Sequence, residues 1–144
     1  MNSKTVLLIE DNPSDIELTK RAFKKNNIVN EILVMEDGQE ALDYLFNLST
    51  SPEQMPVLTL LDMKLPRIDG LEVLNRIRSD KRTKRLPVVM LTSSKEEQDI
   101  AAAYDNGANS YIRKPVDFKQ FVESIRTLGM YWLELNEPPP MRRE

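Results

Sequence analysis

Acidic residues and one lysine stand directly after apolar runs in this sequence, where they could bind a cation and a phosphoryl group. Glu10 and Asp11 follow the run TVLLI, Asp62 follows VLTLL, and Lys114 follows SYIR. Carboxylate oxygens, without sulfur or imidazole, are the ligands that Mg²⁺ prefers. Acids brought close together repel one another unless a cation lies between them. Lys114 and the hydroxyl of Thr92, which ends another apolar run, could then bind phosphate oxygens.

The composition excludes several other kinds of chemistry. The 144-residue chain contains no cysteine and no histidine, which rules out disulfides, thiolate sites, Ser-His-Asp catalysis and histidine metal ligands. The net charge of -3, from 20 basic and 23 acidic residues, gives no reason to expect a nucleic-acid partner. The first apolar run is too short for a signal-peptide core or a membrane span. We therefore expect a cytoplasmic protein with neither a nucleic-acid nor a membrane partner.

Strand-like and helix-like segments alternate along the chain. Apolar, β-branched runs cover Thr5–Ile9, Glu31–Met35, Val57–Leu61, Leu86–Leu91 and Ser110–Ile112. The segments between them have apolar residues every three or four positions, which is typical of amphipathic helices. Asn12-Pro13 and Asp37-Gly38 mark helix starts, and Asp69-Gly70 marks a structural turn into the third helix. Strict alternation predicts an α/β fold: a flavodoxin-like (βα)5 doubly wound parallel sheet of strand order 2-1-3-4-5.

The predicted sheet brings the candidate residues to one edge. In an open parallel sheet, ligands bind beyond the carboxyl ends of the strands, at the point where the strand order reverses. Glu10 and Asp11 end the first strand, Asp62 the third and Thr92 the fourth, and Lys114 follows the fifth. Taken alone, Glu10 and Asp11 could merely cap the first helix, since acids favour helix N-termini. Their expected meeting with Asp62 and Lys114 favours a shared site instead.

Four motifs resemble those of the bacterial two-component response-regulator receiver domain. They are LLIEDNPSD, LLDMKLPRIDG, VVMLTSS and the pair KP after SYIR, in this order and each at the expected strand end. The resemblance implies a phosphorylation switch and not an enzyme. A partner sensor histidine kinase would transfer a phosphoryl group to Asp62. The face formed by the fourth helix, fifth strand and fifth helix would then signal by protein–protein interaction or onward phosphotransfer.

The resemblance also implies a set of metal ligands. Asp11 would bind Mg²⁺ directly, and Glu10 would act nearby through a metal-bound water. Asp62 would be both a ligand and the phosphoacceptor, and Lys64 would offer its backbone carbonyl. The side chain of Lys64 stands where the family tunes loss of the phosphoryl group.

Further residues would bind and read the phosphoryl group. The resemblance implies that Thr92 and Lys114 contact it and that Tyr111 turns inward as Thr92 moves. Tyr111 could also be only a packed aromatic side chain. Ser94 stands at a second position that tunes dephosphorylation. In the family the bond between Lys114 and Pro115 is cis, which X-Pro bonds alone tolerate readily.

The C-terminal part of the sequence extends beyond the usual end of such a domain. We predict one receiver domain over residues 1–137 with an extended last helix, and a flexible tail over 138–144. Trp132 and Leu135 would continue the apolar face of this helix, while Met130 would lie off it. The extension could cap its own core or form a homodimer surface together with the fourth helix and fifth strand. It resembles single-domain regulators that are partnered with phytochrome-type histidine kinases.

Two other functions would use some of the same residues. An aspartyl-phosphate-dependent phosphatase also uses an aspartate and Mg²⁺, but it needs an acid two residues after the nucleophile, where this chain has Lys64. A flavodoxin-like cofactor-binding module needs a phosphate nest rich in glycine and hydroxyl groups after the first strand. The loop at residues 11–15 is acidic instead. Each alternative therefore lacks an element that its chemistry requires.

Overall fold

A parallel β-sheet with helices on both faces forms the centre of the structure. A computed structural model describes residues 4–48, 51–115 and 117–141. The strands are β1 (Val6–Ile9), β2 (Ile32–Met35), β3 (Leu58–Leu61), β4 (Val88–Thr92) and β5 (Ser110–Arg113). They pair in the order β2-β1-β3-β4-β5, and every pair is parallel. The predicted fold class and strand order are confirmed.

Helices connect the strands and cover the sheet. They are α1 (Pro13–Lys25), α2 (Gly38–Leu48), α3 (Gly70–Ser79), α4 (Glu97–Asp105) and α5 (Phe118–Gly129), with a 3-10 turn at Pro52–Gln54. Asn12, Asp69 and Asp117 accept hydrogen bonds from backbone amides in the first turns of α1, α3 and α5. Such caps fix where a helix leaves the carboxyl end of a strand. Among the described residues, no helix is long and apolar enough to cross a membrane.

The core consists of two layers, one on each face of the sheet. In β1, Leu7 and Ile9 belong to the layer that contains α2 and α3, while Val6 and Leu8 belong to the layer with α1 and α5. Successive side chains of a strand point to opposite faces. A strand that is buried on both faces must therefore be apolar throughout, as β1 is. The acidic residues Glu10 and Asp11 begin directly after the end of β1.

The fourth strand begins two residues later than predicted. The sequence pattern placed this strand at Leu86–Leu91, whereas β4 starts at Val88. Pro87 has no amide hydrogen to donate to a neighbouring strand. The amide of Leu86 donates instead to the carbonyl oxygen of Thr83 in the preceding turn, at 3.0 Å. The proline explains the later start.

The last helix continues past Gly129 as a π-helical segment, Met130–Leu135, which we call the C-terminal extension. Trp132 and Leu133 pack against the core layer of α1 and α5. Leu135, by contrast, is 68% exposed. The predicted position of Trp132 is confirmed, and that of Leu135 on the apolar face is wrong. Hydrogen bonds from i to i+5 widen each turn, so the apolar face no longer follows α-helical spacing.

Residues after the C-terminal extension contact the opposite core layer. Arg85 Nη1 donates to the carbonyl oxygen of Pro140 at 3.0 Å. Met141 packs against the layer that contains α2 and α3. Residues 142–144 lie outside the described residues. The domain boundary at residue 137 and the flexibility of residues 138–144 stay predictions.

Candidate functional site

The end of β1 places a buried acid beside an exposed one. The amide of Glu10 donates to the carbonyl oxygen of Met35 at 3.0 Å, so sheet pairing continues one residue past β1. Glu10 is 2% exposed, whereas Asp11 is exposed. The amide of Asn12 donates to Glu10 Oε2 at 3.2 Å. This bond holds the Glu10 carboxylate at the junction of β1 and α1.

The end of β3 places Asp62 next to these two acids. Its amide donates to the carbonyl oxygen of Ile9 at 3.1 Å, and its Oδ1 accepts from the amide of Met63 at 2.7 Å. One carboxylate oxygen each from Glu10, Asp11 and Asp62 lies within 4.8 Å of the other two. A donor set of oxygens alone fits a hard divalent cation. The predicted gathering of these acids is present in the structure.

A close backbone contact fixes the loop that follows Asp62. The amide of Gly70 donates to the carbonyl oxygen of Met63 at 2.8 Å. A Cβ atom on Gly70 would collide with the carbonyl oxygen of Asp62 and would lie 2.7 Å from Met63 Cα. Sequence reasoning identified a turn here but missed its contact with Asp62. The available signal was a glycine at the first position of α3, directly after the capping Asp69.

Lys114 brings a positive charge into the acidic cluster. Its Nζ donates to Glu10 Oε1 and to Asp15 Oδ2, the latter at 3.0 Å, and lies 3.8 Å from Asp62 Oδ2. The side chain of Lys114 is 10% exposed. Its amide donates to the carbonyl oxygen of Thr92 at 2.8 Å, which ties the lysine to the end of β4. Acids from β1, α1 and β3 thus surround one ammonium group.

The peptide bond after Lys114 differs from the expectation drawn from the family. The described residues contain no cis peptide bond, so the bond between Lys114 and Pro115 is trans and the cis expectation is wrong for this structure. Trans is the lower-energy isomer of X-Pro bonds by about 0.5–1 kcal/mol. Lys114 reaches Glu10 from this trans backbone.

Burial and charge act in opposite directions on the two central ionisable groups. Burial raises the pKa of Glu10 from 4.5 to about 7 and outweighs the lowering by the hydrogen bond and charge of Lys114. Burial would lower the pKa of Lys114, but the hydrogen bond to Glu10 and the charge of Asp62 outweigh it and raise the pKa. The ammonium therefore stays charged, while the acidic cluster carries more negative charge than one lysine can neutralise.

The loop after β4 connects the predicted switch residues to α4. Thr92 is the last residue of β4 and is 2% exposed. The hydroxyl of Tyr111 donates to the carbonyl oxygen of Ser94 at 2.9 Å and lies 3.6 Å from Met63 Sδ. Ser94 Oγ donates to Asp99 Oδ2 at 2.5 Å. Tyr111 is therefore bonded to this loop and is not free to turn without breaking a hydrogen bond.

Lys64 lies in the loop between Asp62 and Gly70. Its side chain is exposed, next to the partly buried Leu65. It stands two residues after the predicted acceptor Asp62. The metal-binding role of its backbone carbonyl stays a prediction.

Comparison with known proteins identifies the family. Residues 6–126 match the response regulator receiver domain. The probable methanogenesis regulatory protein FilR2 of Methanothrix harundinacea (strain 6Ac) is 38% identical over 134 residues, which are 93% of this chain and 86% of FilR2.

Two solved structures have the same fold. The phosphorylated cyanobacterial phytochrome response regulator RcpA is 36% identical with a TM-score of 0.86, and the match covers 95% of this chain and 99% of RcpA. The Mn²⁺-bound form of response regulator Rcp1 is 35% identical with a TM-score of 0.83, over 94% and 99% of the two chains. Rcp1 from Synechocystis sp. (strain ATCC 27184 / PCC 6803 / Kazusa) is also similar in sequence, at 36% identity over 91% of this chain and 90% of Rcp1. From its sheet topology, its site and these matches, the chain belongs to the response regulator receiver domain family.

Proposed function

We propose that this protein is a phosphorylation switch in which Asp62 accepts a phosphoryl group. The observation that carries this proposal is the position of Asp62, within 4.8 Å of Glu10 and Asp11 and 3.8 Å from the ammonium of Lys114. The side chain of Asp62 is 12% exposed, so it is accessible to a donor while most of its surface is enclosed by protein. Acids on one side and a cation on the other suit phosphoryl transfer, in which positioning and charge stabilisation dominate.

The acidic cluster supports a divalent cation at this site, and Mg²⁺ is the ion we propose. Asp11, Asp62 and the backbone carbonyl of Lys64 would hold it, with Glu10 nearby. When bound, Mg²⁺ would neutralise the clustered carboxylates and attract the oxygens of an incoming phosphoryl group. The relative Rcp1 has been solved with Mn²⁺.

The proposed reaction forms an acyl phosphate. A carboxylate oxygen of Asp62 forms a bond to phosphorus, while the bond between phosphorus and a histidine nitrogen of the donor breaks. The electron pair of the broken bond stays on that nitrogen. Water later attacks phosphorus, which releases inorganic phosphate, restores the Asp62 carboxylate and passes a proton to solvent. These 144 residues contain no histidine, so the phosphohistidine lies outside them.

The new negative charge would be read by residues at the ends of β4 and β5. Lys114 and the hydroxyl of Thr92 would bind phosphoryl oxygens. Movement of Thr92 would disturb the hydrogen bond from Tyr111 to Ser94, and with it the bond from Ser94 to Asp99 on α4. The equilibrium between two arrangements of the α4–β5–α5 face would shift. That face would signal by binding another protein or by onward phosphotransfer.

A histidine kinase of the phytochrome type is the donor that we propose. The relative RcpA is a cyanobacterial phytochrome response regulator, and its likeness extends over 95% of this chain. FilR2, of similar identity, is a probable methanogenesis regulatory protein, and the phytochrome assignment is therefore tested directly. We expect faster phosphoryl transfer from a purified phytochrome kinase than from an unrelated histidine kinase. Equal rates from both kinases would contradict the phytochrome assignment.

We also propose that the protein forms a homodimer through the C-terminal extension. Met130, Tyr131 and Leu135 are 45%, 49% and 68% exposed, so this segment presents apolar side chains to solvent. Sedimentation velocity should show a dimer that Leu135→Glu weakens. A monomer at all accessible concentrations would contradict this part of the proposal.

The central test is labelling by a small phosphodonor. The full chain is incubated with acetyl phosphate and Mg²⁺, and its intact mass is measured. We expect a gain of one phosphoryl group that Asp62→Asn abolishes. Asp43→Asn, at an exposed position on α2, is the matched control and should be labelled like the natural protein. Persistent labelling of Asp62→Asn, or none in the natural protein, would contradict the assignment.

A further inference from the structure

The Lys114 ammonium is hydrogen-bonded to acids other than the proposed acceptor. It donates to Glu10 Oε1 and to Asp15 Oδ2, whereas Asp62 Oδ2 lies 3.8 Å away. Charge-assisted bonds from nitrogen to a carboxylate are about 2.7–2.9 Å long. At 3.0 Å, Asp15 is close to this range, and Asp62 is well outside it. In this arrangement the lysine is engaged on the α1 side of the site.

Hydrogen bonds of the backbone amide and of the carbonyl oxygen fix Asp15 on α1. Its amide donates to Asn12 Oδ1 at 3.1 Å, and its carbonyl oxygen accepts from Thr19 Oγ1 at 2.7 Å. The side chain of Asp15 is 34% exposed, against 12% for Asp62. Asp15 thus lies at the rim of the site and is separate from the proposed metal ligands. Its carboxylate is a counter-ion of Lys114 to which the proposed phosphoryl transfer assigns no role.

The space beside this ion pair leaves room for the lysine to move. A cavity of about 50 Å³ between α1 and α5 is lined by Asp15 and Lys114 together with Leu18, Phe118 and Phe121, among others. The stem of Lys114 is therefore not tightly packed on its α1 side. Packing on this side does not lock the Lys114 side chain in its present position.

We propose that Asp15 is a positioning residue, which holds the Lys114 ammonium on the α1 side until a phosphoryl group on Asp62 attracts it. The inference rests on the proposed function, because it describes how the same site is regulated. A phosphoryl group at Asp62 and the carboxylate of Asp15 compete for one ammonium. Asp15 thereby slows phosphoryl acceptance and keeps the unphosphorylated arrangement of Lys114.

The first test removes the charge of Asp15 and retains its size. Asp15→Asn should accelerate labelling by acetyl phosphate and Mg²⁺ by roughly twofold to fivefold, the range that one partly exposed ion pair supplies. Asp15→Glu restores a carboxylate and should return the rate toward that of the natural protein. Glu17→Gln removes a negative charge from an exposed position of the same helix and should leave the rate unchanged.

The second test asks whether Asp15 acts through Lys114. In a Lys114→Met background, Asp15→Asn should have no effect on labelling, because the ammonium it positions is gone. A general structural effect of Asp15 on α1 would persist in that background. If Lys114→Met is labelled too slowly to compare, binding of beryllofluoride in the presence of Mg²⁺ is measured by calorimetry in the same four proteins. The expected pattern is the same: tighter binding by Asp15→Asn only when Lys114 is present.

Each result supports or overturns the inference. An unchanged or slower rate for Asp15→Asn overturns it, as does an undiminished effect in the Lys114→Met background. A rate increase of equal size in Glu17→Gln also overturns it, since general charge would then be the cause. Failure of the natural protein to be labelled at Asp62 would instead contradict the proposed function. Labelling of the natural protein with no effect of Asp15 contradicts only this inference.

Discussion

Replacing Gly70 by alanine should impair the site without touching any of its ionisable groups. The added Cβ would collide with the carbonyl oxygen of Asp62 and would lie 2.7 Å from Met63 Cα. Carbon atoms in good contact are about 3.5–4.0 Å apart, so the backbone must move by about 1 Å. Both crowded groups are backbone, and no side-chain rotation can relieve the contact. The displacement falls on the residue that carries the proposed acceptor carboxylate.

The size of the effect follows from that displacement. Misplacing a reacting group by about 1 Å can lower a rate by about a hundredfold, so we expect labelling to fall by about 10- to 100-fold. Overpacking typically costs about 1–3 kcal/mol of stability, and the free energy of unfolding should fall by that amount. Labelling is measured by intact mass after timed addition of acetyl phosphate and Mg²⁺. Unfolding by urea is measured on the same samples.

Gly129 offers a matched control for this substitution. A Cβ on Gly129 would also meet a carbon atom at 2.7 Å, but that atom is Ile28 Cδ1, the end of a flexible side chain. Gly129→Ala should therefore leave labelling unchanged and alter stability much less than Gly70→Ala. The reasoning would be refuted if the two alanine variants lost labelling equally, or if Gly70→Ala were labelled at the natural rate.

Three further predictions concern pH, the C-terminal extension and one arginine. Burial raises the pKa of Glu10 to about 7, so its ionisation should lower the stability of the folded state as pH rises from 4.5 to about 7. Below pH 7, protons on Glu10 should compete with Mg²⁺ for the acidic cluster. Calorimetry should show Mg²⁺ affinity falling by up to about tenfold per pH unit below 7, and Glu10→Gln should flatten this dependence. Leu133→Ala should lower the free energy of unfolding of the monomer by about 1–2 kcal/mol, because Leu133 packs on the core. Leu135→Ala should change it by less than about 0.5 kcal/mol, when urea unfolding is measured at a dilution that dissociates the proposed dimer. Equal costs of the two substitutions would contradict the π-helical register. Arg78→Ala should lower the free energy of unfolding by about 2–4 kcal/mol, because the guanidinium donates to three backbone carbonyl oxygens and to a side-chain amide oxygen. Arg76 is exposed, and Arg76→Ala should be nearly neutral. Similar midpoints of urea unfolding for the two variants would refute this.

The edge of the sheet that carries the site was predictable because parallel strands impose it. Glu10, Asp62 and Lys114 each follow a strand, and strands that run in parallel must end on the same side. Their meeting follows from sequence order once the alternation of strand and helix is recognised. Asp15 was missed because it belongs to a helix, where the strand-end rule says nothing. Its approach to Lys114 depends on how α1 packs beside α5, which periodicity does not specify.

Local backbone geometry was less accessible from the sequence. The later start of β4 could have been anticipated from Pro87, since proline cannot donate a ladder hydrogen bond. The exposure of Leu135 could not have been anticipated, because apolar residues every three or four positions indicate a buried face only if the segment is an α-helix throughout. The π-helical winding from Met130 onward depends on tertiary packing, in which Leu133 and Trp132 contact the core. The order of apolar residues along the sequence does not show whether the backbone will form an α-helix or a π-helix.

The distribution of burial explains why α4 is suited to report on the site. Ala103 is its buried residue, and Tyr104 is 50% exposed. A helix with so little buried apolar surface can change position at low cost, whereas the strands that carry the acids cannot. The bonds from Tyr111 to Ser94 and from Ser94 to Asp99 connect the end of β5 to this weakly held helix. A phosphoryl group on Asp62 would therefore act on two parts of the protein: the strand ends that carry the acids, which are rigid, and α4, which can move. A two-state switch requires both a rigid part and a movable part.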